Sequence, residues 1–336
     1  MRRVGYLWER VVSFENLMAA ARRASLGKRS ALSAPRFLER AELECVALER
    51  ELSDGTWRPS PVTTFEIHDP KKRTITVAPF RDQVVHHALI HVLEPIFERR
   101  MVAHSYACRR GKGTLRALRH ARTMLRRHPW FLKLDVASFF ASVEHGVAMA
   151  AAERLVKDKR LLRLLSQIVA GPSEPPSLIG LPLGFLTSQW LANLVLDPLD
   201  HWILEQLHIA GYVRYMDDLV LFGPDRATLR EAREQVEAYL AEKLHLRLKE
   251  RATVLSPSAG GLPFLGWMLY PGAIRLRPEN LRRYRWRLRQ RRRQWALGQR
   301  STQQYREGVA SLFDLLEAGG ARALKRRWAN EPWPDL

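Results

Sequence analysis

Three aspartates carry the clearest chemical signal in the sequence. Asp217 and Asp218 stand side by side in GYVRYMDDLVLFG, residues 211–223, between two runs of strand formers. The stretch reads as a β-hairpin with the acid pair at its tip. Carboxylates so close repel unless one is protonated or a cation lies between them. A solvated Asp-Asp turn would give the same pattern, because Asp is a common turn residue. Asp135 ends the apolar run FLKLDV. It could cap a helix starting in VASFF, or it could supply a third oxygen donor. A catalytic pair of divalent ions sits about 3.5–4 Å apart and clamps the attacking and leaving oxygens of a displacement. Such a pair needs carboxylates from more than one backbone segment. Asp135 with Asp217 and Asp218 meets that need, and hard oxygen donors suit magnesium.

The elements that must position these acids read as α+β. Phe14 to Leu52 is expected to be helical, with breaks near Gly27 and Pro35. Val62 to Ile67 and Arg73 to Val77 alternate like strands joined by DPKK. Gln83 to Phe97 reads as helix, and HARTMLRRH ends another. Phe131 to Val136 is a short buried strand. Glu144 to Ala170 reads as one helix, GPSEPPS as a break, and Thr187 to Leu207 as a helix. After the hairpin, Leu229, Ala232, Val236, Tyr239 and Leu240 fall on one helical face. FLGWML reads as a strand, and the chain from Leu281 on as basic helix.

The 336 residues carry a net charge of +20 and a pI near 10.7. An excess of that size points to a polyanionic partner. Nucleic acid is the first candidate and an anionic membrane the second. No apolar run reaches the roughly 18 residues of a transmembrane helix. The Arg-rich start is interrupted by Glu9 and Glu15 and does not read as a transit peptide. Cys45 and Cys108 are the only cysteines, too few for a disulfide scaffold or a Cys-based zinc site, and they fit a reducing cytosol.

A strand-ending Asp followed about 80 residues later by a hairpin-borne Asp-Asp, in so basic a chain, is the layout of a polymerase palm. From about Leu7 to Trp328 the chain resembles a reverse transcriptase. RYMDD resembles the family's metal-binding hairpin, and FLKLDVASFF the strand with the first metal aspartate. GLPLGFLTSQWLANLVLDPLDH, from Gly180 to His201, resembles the loop and helix that hold template, primer and nucleotide. LPFLGW resembles the primer-grip turn. FRDQVVHHALIHVLEPIF, HSYACRRGKGTLRAL and LGFLTSQ resemble the reverse transcriptases of diversity-generating retroelements. Group II intron relatives usually read QG and SP where this chain has Leu183-Gly184 and Ser188-Gln189. No maturase or endonuclease domain is expected after the thumb.

The resemblance implies a right-hand polymerase of fingers, palm and thumb with an antiparallel palm sheet. Its expected segments are a helical N-terminal extension (1–58), interleaved fingers and palm (59–272) and a basic helical thumb (273–336). Asp135 and Asp217 would hold two Mg2+ ions, with Asp218 assisting and the Val136 carbonyl completing one shell. Phe140 would block a 2′-hydroxyl. Arg73 and Arg81 would meet the triphosphate, because a guanidinium fork matches phosphate oxygens. Arg109, Arg110 and Lys112 would contact nucleic acid or phosphate. Leu183, Gly184 and Gln189 would border the incoming nucleotide, and Tyr215, Gly266 and Trp267 the primer. Leu183 stands where most relatives have Gln. Losing that polar contact relaxes base discrimination, which implies error-prone copying at template adenines.

Leu281 to Arg300 holds nine arginines and no acid, with Tyr284, Trp286 and Trp295 between them. Arg282, Arg285 and Arg289 are its nucleic-acid candidates. Ala252 occupies the place of a lysine thought to protonate pyrophosphate, and Lys249 or Arg251 could substitute. The implied partners are template RNA, primer or cDNA, dNTPs and a small basic helical accessory protein that is oligomeric, with no membrane. The implied setting is the cytoplasm, for a prokaryotic or phage-encoded protein. The alternatives are a stand-alone enzyme of antiphage defence and a catalytically silent nucleic-acid scaffold.

Overall fold

The computed structural model describes residues 3–26, 33–68, 72–171, 177–318 and 321–331. In chain order its helices are α1 (Trp8–Val12), α2 (Phe14–Ser25), α3 (Ser33–Glu39), α4 (Ala41–Ser53), α5 (Phe80–Arg100), α6 (Thr114–Arg127) and α7 (Phe139–Ser142). They continue as α8 (His145–Glu153), α9 (Lys159–Ala170), α10 (Leu186–Glu205), α11 (Arg226–Leu244), α12 (Pro278–Ala296), α13 (Thr302–Ala318) and α14 (Arg322–Ala329). The strands are β1 (Thr63–Ile67), β2 (Arg73–Val77), β3 (Trp130–Asp135), β4 (Gly211–Tyr215), β5 (Asp218–Gly223), β6 (Val254–Pro257), β7 (Leu262–Phe264), β8 (Trp267–Leu269) and β9 (Ile274–Leu276). Gly27, the centre of DPKK and most of GPSEPPS lie outside the described residues.

Two compact units are each assembled from non-contiguous stretches. One comprises Met1–Ala103, Val136–Ile203 and Val236–Leu248, the other His104–Asp135, Leu204–Gln235 and Lys249–Leu336.

The first unit is built on α5, whose Val84, Val85, Ala88, Leu89 and Leu93 are buried. Helix α2 packs on it through Leu17, Ala20, Ala21 and Ala24, a helical stripe of apolar residues. Buried Asn16 on that seam donates to the carbonyls of Val11 (2.9 Å) and Ala88 (3.1 Å), which satisfies an amide that would be costly to bury alone. The helix expected over Glu144 to Ala170 is two helices. Asp158 caps α9 by accepting from the Leu161 amide, and it also accepts from the amides of Leu7 and Trp8 at 3.1 and 3.0 Å. A carboxylate that caps one helix start and holds another outweighs helical continuity there.

The second unit holds an antiparallel sheet in the order β4-β5-β3-β6. Leu219, Val220, Leu221 and Phe222 of β5 are all buried, as befits a central strand covered on both faces. Helix α6 lays Ala117, Leu118, Ala121, Met124 and Leu125 against Phe131, Val213, Val220 and Phe222. The same core takes in β7 to β9 and Leu288, Leu312, Leu316 and Trp328 of the C-terminal helices. Each such large apolar side chain contributes about 1.5–3 kcal/mol when buried. FLGWML is not one strand. Leu265 and Gly266 both take positive φ, 48° and 84°, and turn β7 back onto β8.

Candidate active site

The register of the four-stranded sheet builds the site. Asp135, the last residue of β3, is the direct Cα partner of Asp218, the first of β5. Asp218 in turn pairs with Tyr215 of β4. Asp217 lies with Met216 in the two-residue turn between β4 and β5. Met216 takes φ +54°, which a tight hairpin requires. Asp218 therefore starts a strand, and only Asp217 sits in the turn. Strand alternation puts Phe131, Lys133 and Asp135 on one face, opposite Phe222, Val220 and Asp218. One end of that face is core and the other end is acidic.

The turn is braced from the opposite face. Arg214 is fully buried and its Nη1 donates to the Met216 carbonyl at 3.2 Å. Its amide donates to His104 O and its carbonyl accepts from the Tyr106 amide, both at 2.9 Å. On the acid face, the Tyr215 hydroxyl accepts from Thr114 Oγ1 at 3.1 Å. The Asp135 carbonyl accepts from the Lys249 amide at 2.8 Å, while Ala252 falls in a short 3-10 turn. Val136 pairs with Leu248 through bonds of its neighbours, which leaves its own carbonyl outside that ladder.

Lys133 Nζ lies 3.0 Å from Asp218 Oδ1, with the two side chains 15% and 25% exposed. The contact is one of charge, since Oδ1 is shielded and makes no well-aligned hydrogen bond among the described residues. Sequence reasoning missed both Lys133 and Arg214. The available signal was a full charge inside an otherwise apolar strand.

Among the described residues no three His, Cys, Asp or Glu side chains gather into a ready-made metal shell. The expected three-carboxylate shell is thus not gathered in this structure. Like charges placed directly opposite on a sheet destabilise it, so the pairing of Asp135 with Asp218 favours a cation nearby. That donor set fits hard divalent ions whose shells are completed by phosphate oxygens.

The remaining candidates divide sharply. In the first unit, Phe139 is core and Phe140 half-buried, their rings edge-on at 5.7 Å. They belong to α7, so helical geometry and not strand alternation separates them. The Leu183 carbonyl accepts from the Thr76 amide at 2.7 Å, which ties the loop to β2. Gly184 takes φ +122°, and a Cβ there would fall 2.4 Å from Thr76 O, so no side chain fits. Gly184 and Gln189 line a cavity of about 600 Å³ with Ile75, Val77, His86 and Phe185. Burial pushes the His86 imidazole down to about 3, with His87 adding to the effect, so it is neutral.

Arg73 is exposed at the start of β2. Arg81 directs its fork to Glu51 at 2.8 and 2.9 Å and to Glu44 at 3.2 Å. In the second unit, Trp267 is 1% exposed and packs in the core. Gly266 is fixed by its φ of +84° and by Asn280, which donates to its carbonyl at 2.7 Å. Arg109 donates to Ser105 O and Lys112 lies over the Tyr106 ring, while Arg110 and Arg282 are exposed. Arg285 and Arg289 both grip Glu331, at 2.7 and 2.6 Å, and draw its carboxyl down to about 2. The two arginines thus clamp the residue that follows α14.

An acid-bearing hairpin beside a third acid-bearing strand, in an antiparallel sheet flanked by helices, matches the arrangement expected from the sequence. Residues 67–269 match the reverse transcriptase (RNA-dependent DNA polymerase) family, and the chain belongs to that family. It is 26% identical over 275 residues to protein YkfC of Escherichia coli, covering 68% of this chain and 72% of that one. It is 22% identical over 288 residues to the group II intron-encoded protein LtrA of Lactococcus lactis, covering 65% and 48%. It is 35% identical over 86 residues to nuclear intron maturase 1 of Arabidopsis thaliana, covering 26% and 12%. The chain thus spans under half the length of LtrA and a small part of the maturase. Telomerase from Candida tropicalis in complex with a fragment of telomeric RNA shares the fold, with a TM-score of 0.51 at 11% identity over 80% of this chain and 55% of that one.

Proposed function

We propose that the chain catalyses RNA-directed DNA synthesis, in which a primer 3′-hydroxyl attacks the α-phosphate of a dNTP and pyrophosphate leaves. The observation that carries this reading is the pairing of Asp135 with Asp218 across the sheet, with Asp217 in the adjoining turn. Two magnesium ions, when bound by Asp135 and Asp217 with help from the Val136 carbonyl, would neutralise charge on the reacting phosphate. The chain's own part is placement. The buried Arg214 fixes the turn that presents Asp217, and the Lys249 amide fixes the backbone at Asp135. The net charge of +20 suits an RNA template and its cDNA.

The finer reading is mutagenic copying of a template-repeat RNA, with the cDNA diversifying a target gene. Leu183 supports it, being apolar where a polar contact would reject mispairs. A small accessory protein and fingers, palm and thumb in a right-hand arrangement belong to the same reading. Primer extension on a defined RNA, with sequencing of the product, tests both levels. Templated cDNA with substitutions concentrated at adenines is expected. Faithful or untemplated product would overturn the mutagenic reading, and no incorporation would overturn the polymerase.

A further inference from the structure

We propose that His145 is a positioning residue for the incoming nucleotide. Its ring locks the loop 178–184 onto α7, so that Phe140 and the Leu183-Gly184 border keep a spacing that admits a deoxyribose and rejects a ribose. The proposal rests on the reading of the chain as a polymerase in which Phe140 blocks a 2′-hydroxyl.

His145 is the first residue of α8. Its amide donates to Leu178 O at 2.8 Å, and its neighbour Glu144 pairs with Ile179. Its Nε2 lies 2.7 Å from Gly180 O. A carbonyl only accepts, so Nε2 carries the proton and donates. The other polar end of the same peptide is held as well, because the Leu181 amide donates to Phe140 O at 2.6 Å. The peptide between Gly180 and Leu181 is thus gripped twice, by α8 through a side chain and by α7 through the backbone. Gly180 takes φ +97°. Glycine is conformationally permissive there, so these bonds and not a backbone preference fix its position.

The far end of the loop is tied to β2, where Leu183 O accepts from the Thr76 amide at 2.7 Å and Gly184 sits against Thr76 O. The loop therefore runs from Phe140 at one end to the expected nucleotide border at the other. The ties to Phe140 and Thr76 are backbone to backbone, and substitution leaves them in place. The bond from His145 is made by a side chain, so one substitution removes it alone. The peptide then keeps a single bond, and rotation about Gly180 changes the spacing between Phe140 and Leu183. A site works only while its residues are held within about 0.5 Å of the productive geometry. His145 acts through the loop and not on substrate.

The test is single-nucleotide incorporation on an RNA template, with kcat/KM measured for a dNTP and for the matching ribonucleotide. In His145→Ala the preference for the dNTP is expected to fall about threefold to tenfold, the scale of one lost hydrogen bond, with KM for the dNTP raised. Partial unfolding would lower both rates alike and leave the ratio and KM unmoved. His145→Gln, whose amide can donate to the same carbonyl, should stay within about twofold of wild type. His245→Ala, which removes a ring that pairs with the neighbouring Glu144, should match wild type. If His145→Ala misfolds, His145→Phe, which keeps a ring without the donor, takes its place. An unchanged ratio without the donor, or a fallen ratio that glutamine does not rescue, would overturn the proposal. Phe140→Ala is measured beside these variants. If it leaves the ratio unchanged, the role of Phe140 fails and the proposal with it, while no incorporation by wild type would sink the polymerase reading itself.

Discussion

Asp135 and Asp218 are direct partners across β3 and β5, two acids meeting at the place where a sheet tolerates like charges least. Three features hold them there. Arg214 braces the turn from below, Lys249 anchors the backbone at Asp135, and Lys133 takes the charge of Asp218. A structural explanation would need only the last of these. The first two fix backbone positions, which is what an oxygen-donor site requires.

Gly184 gives the most local prediction. Gly184→Ala combines a left-handed backbone with a Cβ 2.4 Å from Thr76 O. It should destabilise the protein by at least about 2 kcal/mol. Gly171→Ala, also at positive φ but with no described residue within 4 Å of the added Cβ, should cost about 1 kcal/mol. Thermal unfolding of the two variants checks the difference. Equal losses would mean that the loop does not close on β2.

Arg81 and Trp267 test two of the candidate contact residues. Arg81→Ala should lower stability by about 1 kcal/mol, discounted for the partial exposure of its partners. The KM for dNTP should stay within about threefold. Trp267→Ala should cost about 3–5 kcal/mol, as a core aromatic does. A large rise in KM without loss of stability in Arg81→Ala would restore its role in triphosphate binding.

His86 predicts an acid sensitivity. Its folded-state value near 3 lies below the ordinary histidine value, because burial opposes the charged form. The unfolded chain therefore binds more protons than the native one at mildly acidic pH. Stability from this group is present above about pH 6.5 and is lost as pH falls toward about 3. His86→Phe, which keeps a ring beside Phe185, should lose less stability than wild type between about pH 8 and about pH 5 in urea unfolding. Parallel losses would contradict the buried neutral imidazole.

Leu183→Gln should raise fidelity at template adenines, by restoring a polar contact at the nucleotide border. Sequencing cDNA from one RNA template with both proteins measures it. An unchanged error spectrum would remove that role.

Much of this was legible in the sequence, because strand period and acid placement are local signals. FLKLDV and the YMDD hairpin appear nearly where they were expected. The exceptions follow from tertiary contacts. Asp158 splits a helix by binding amides about 150 residues away, which no local pattern records. β6 and β9 are short edge-like segments, recognisable only by their partners. The acids beside Arg81, Arg285 and Arg289 were not legible either, because arginine type alone does not reveal an acid opposite. Nor was the burial of Trp267, whose motif lies at a turn.

The central claim is that Asp217, presented by its braced turn, serves catalysis and not folding. Single-nucleotide incorporation on an RNA template with magnesium, measured for wild type and Asp217→Asn alongside RNA affinity in EDTA, tests it most directly. Loss of incorporation by about a thousandfold or more, with RNA affinity and melting temperature unchanged, is the expected result. Retained incorporation, or loss of RNA binding and folding together, would contradict it.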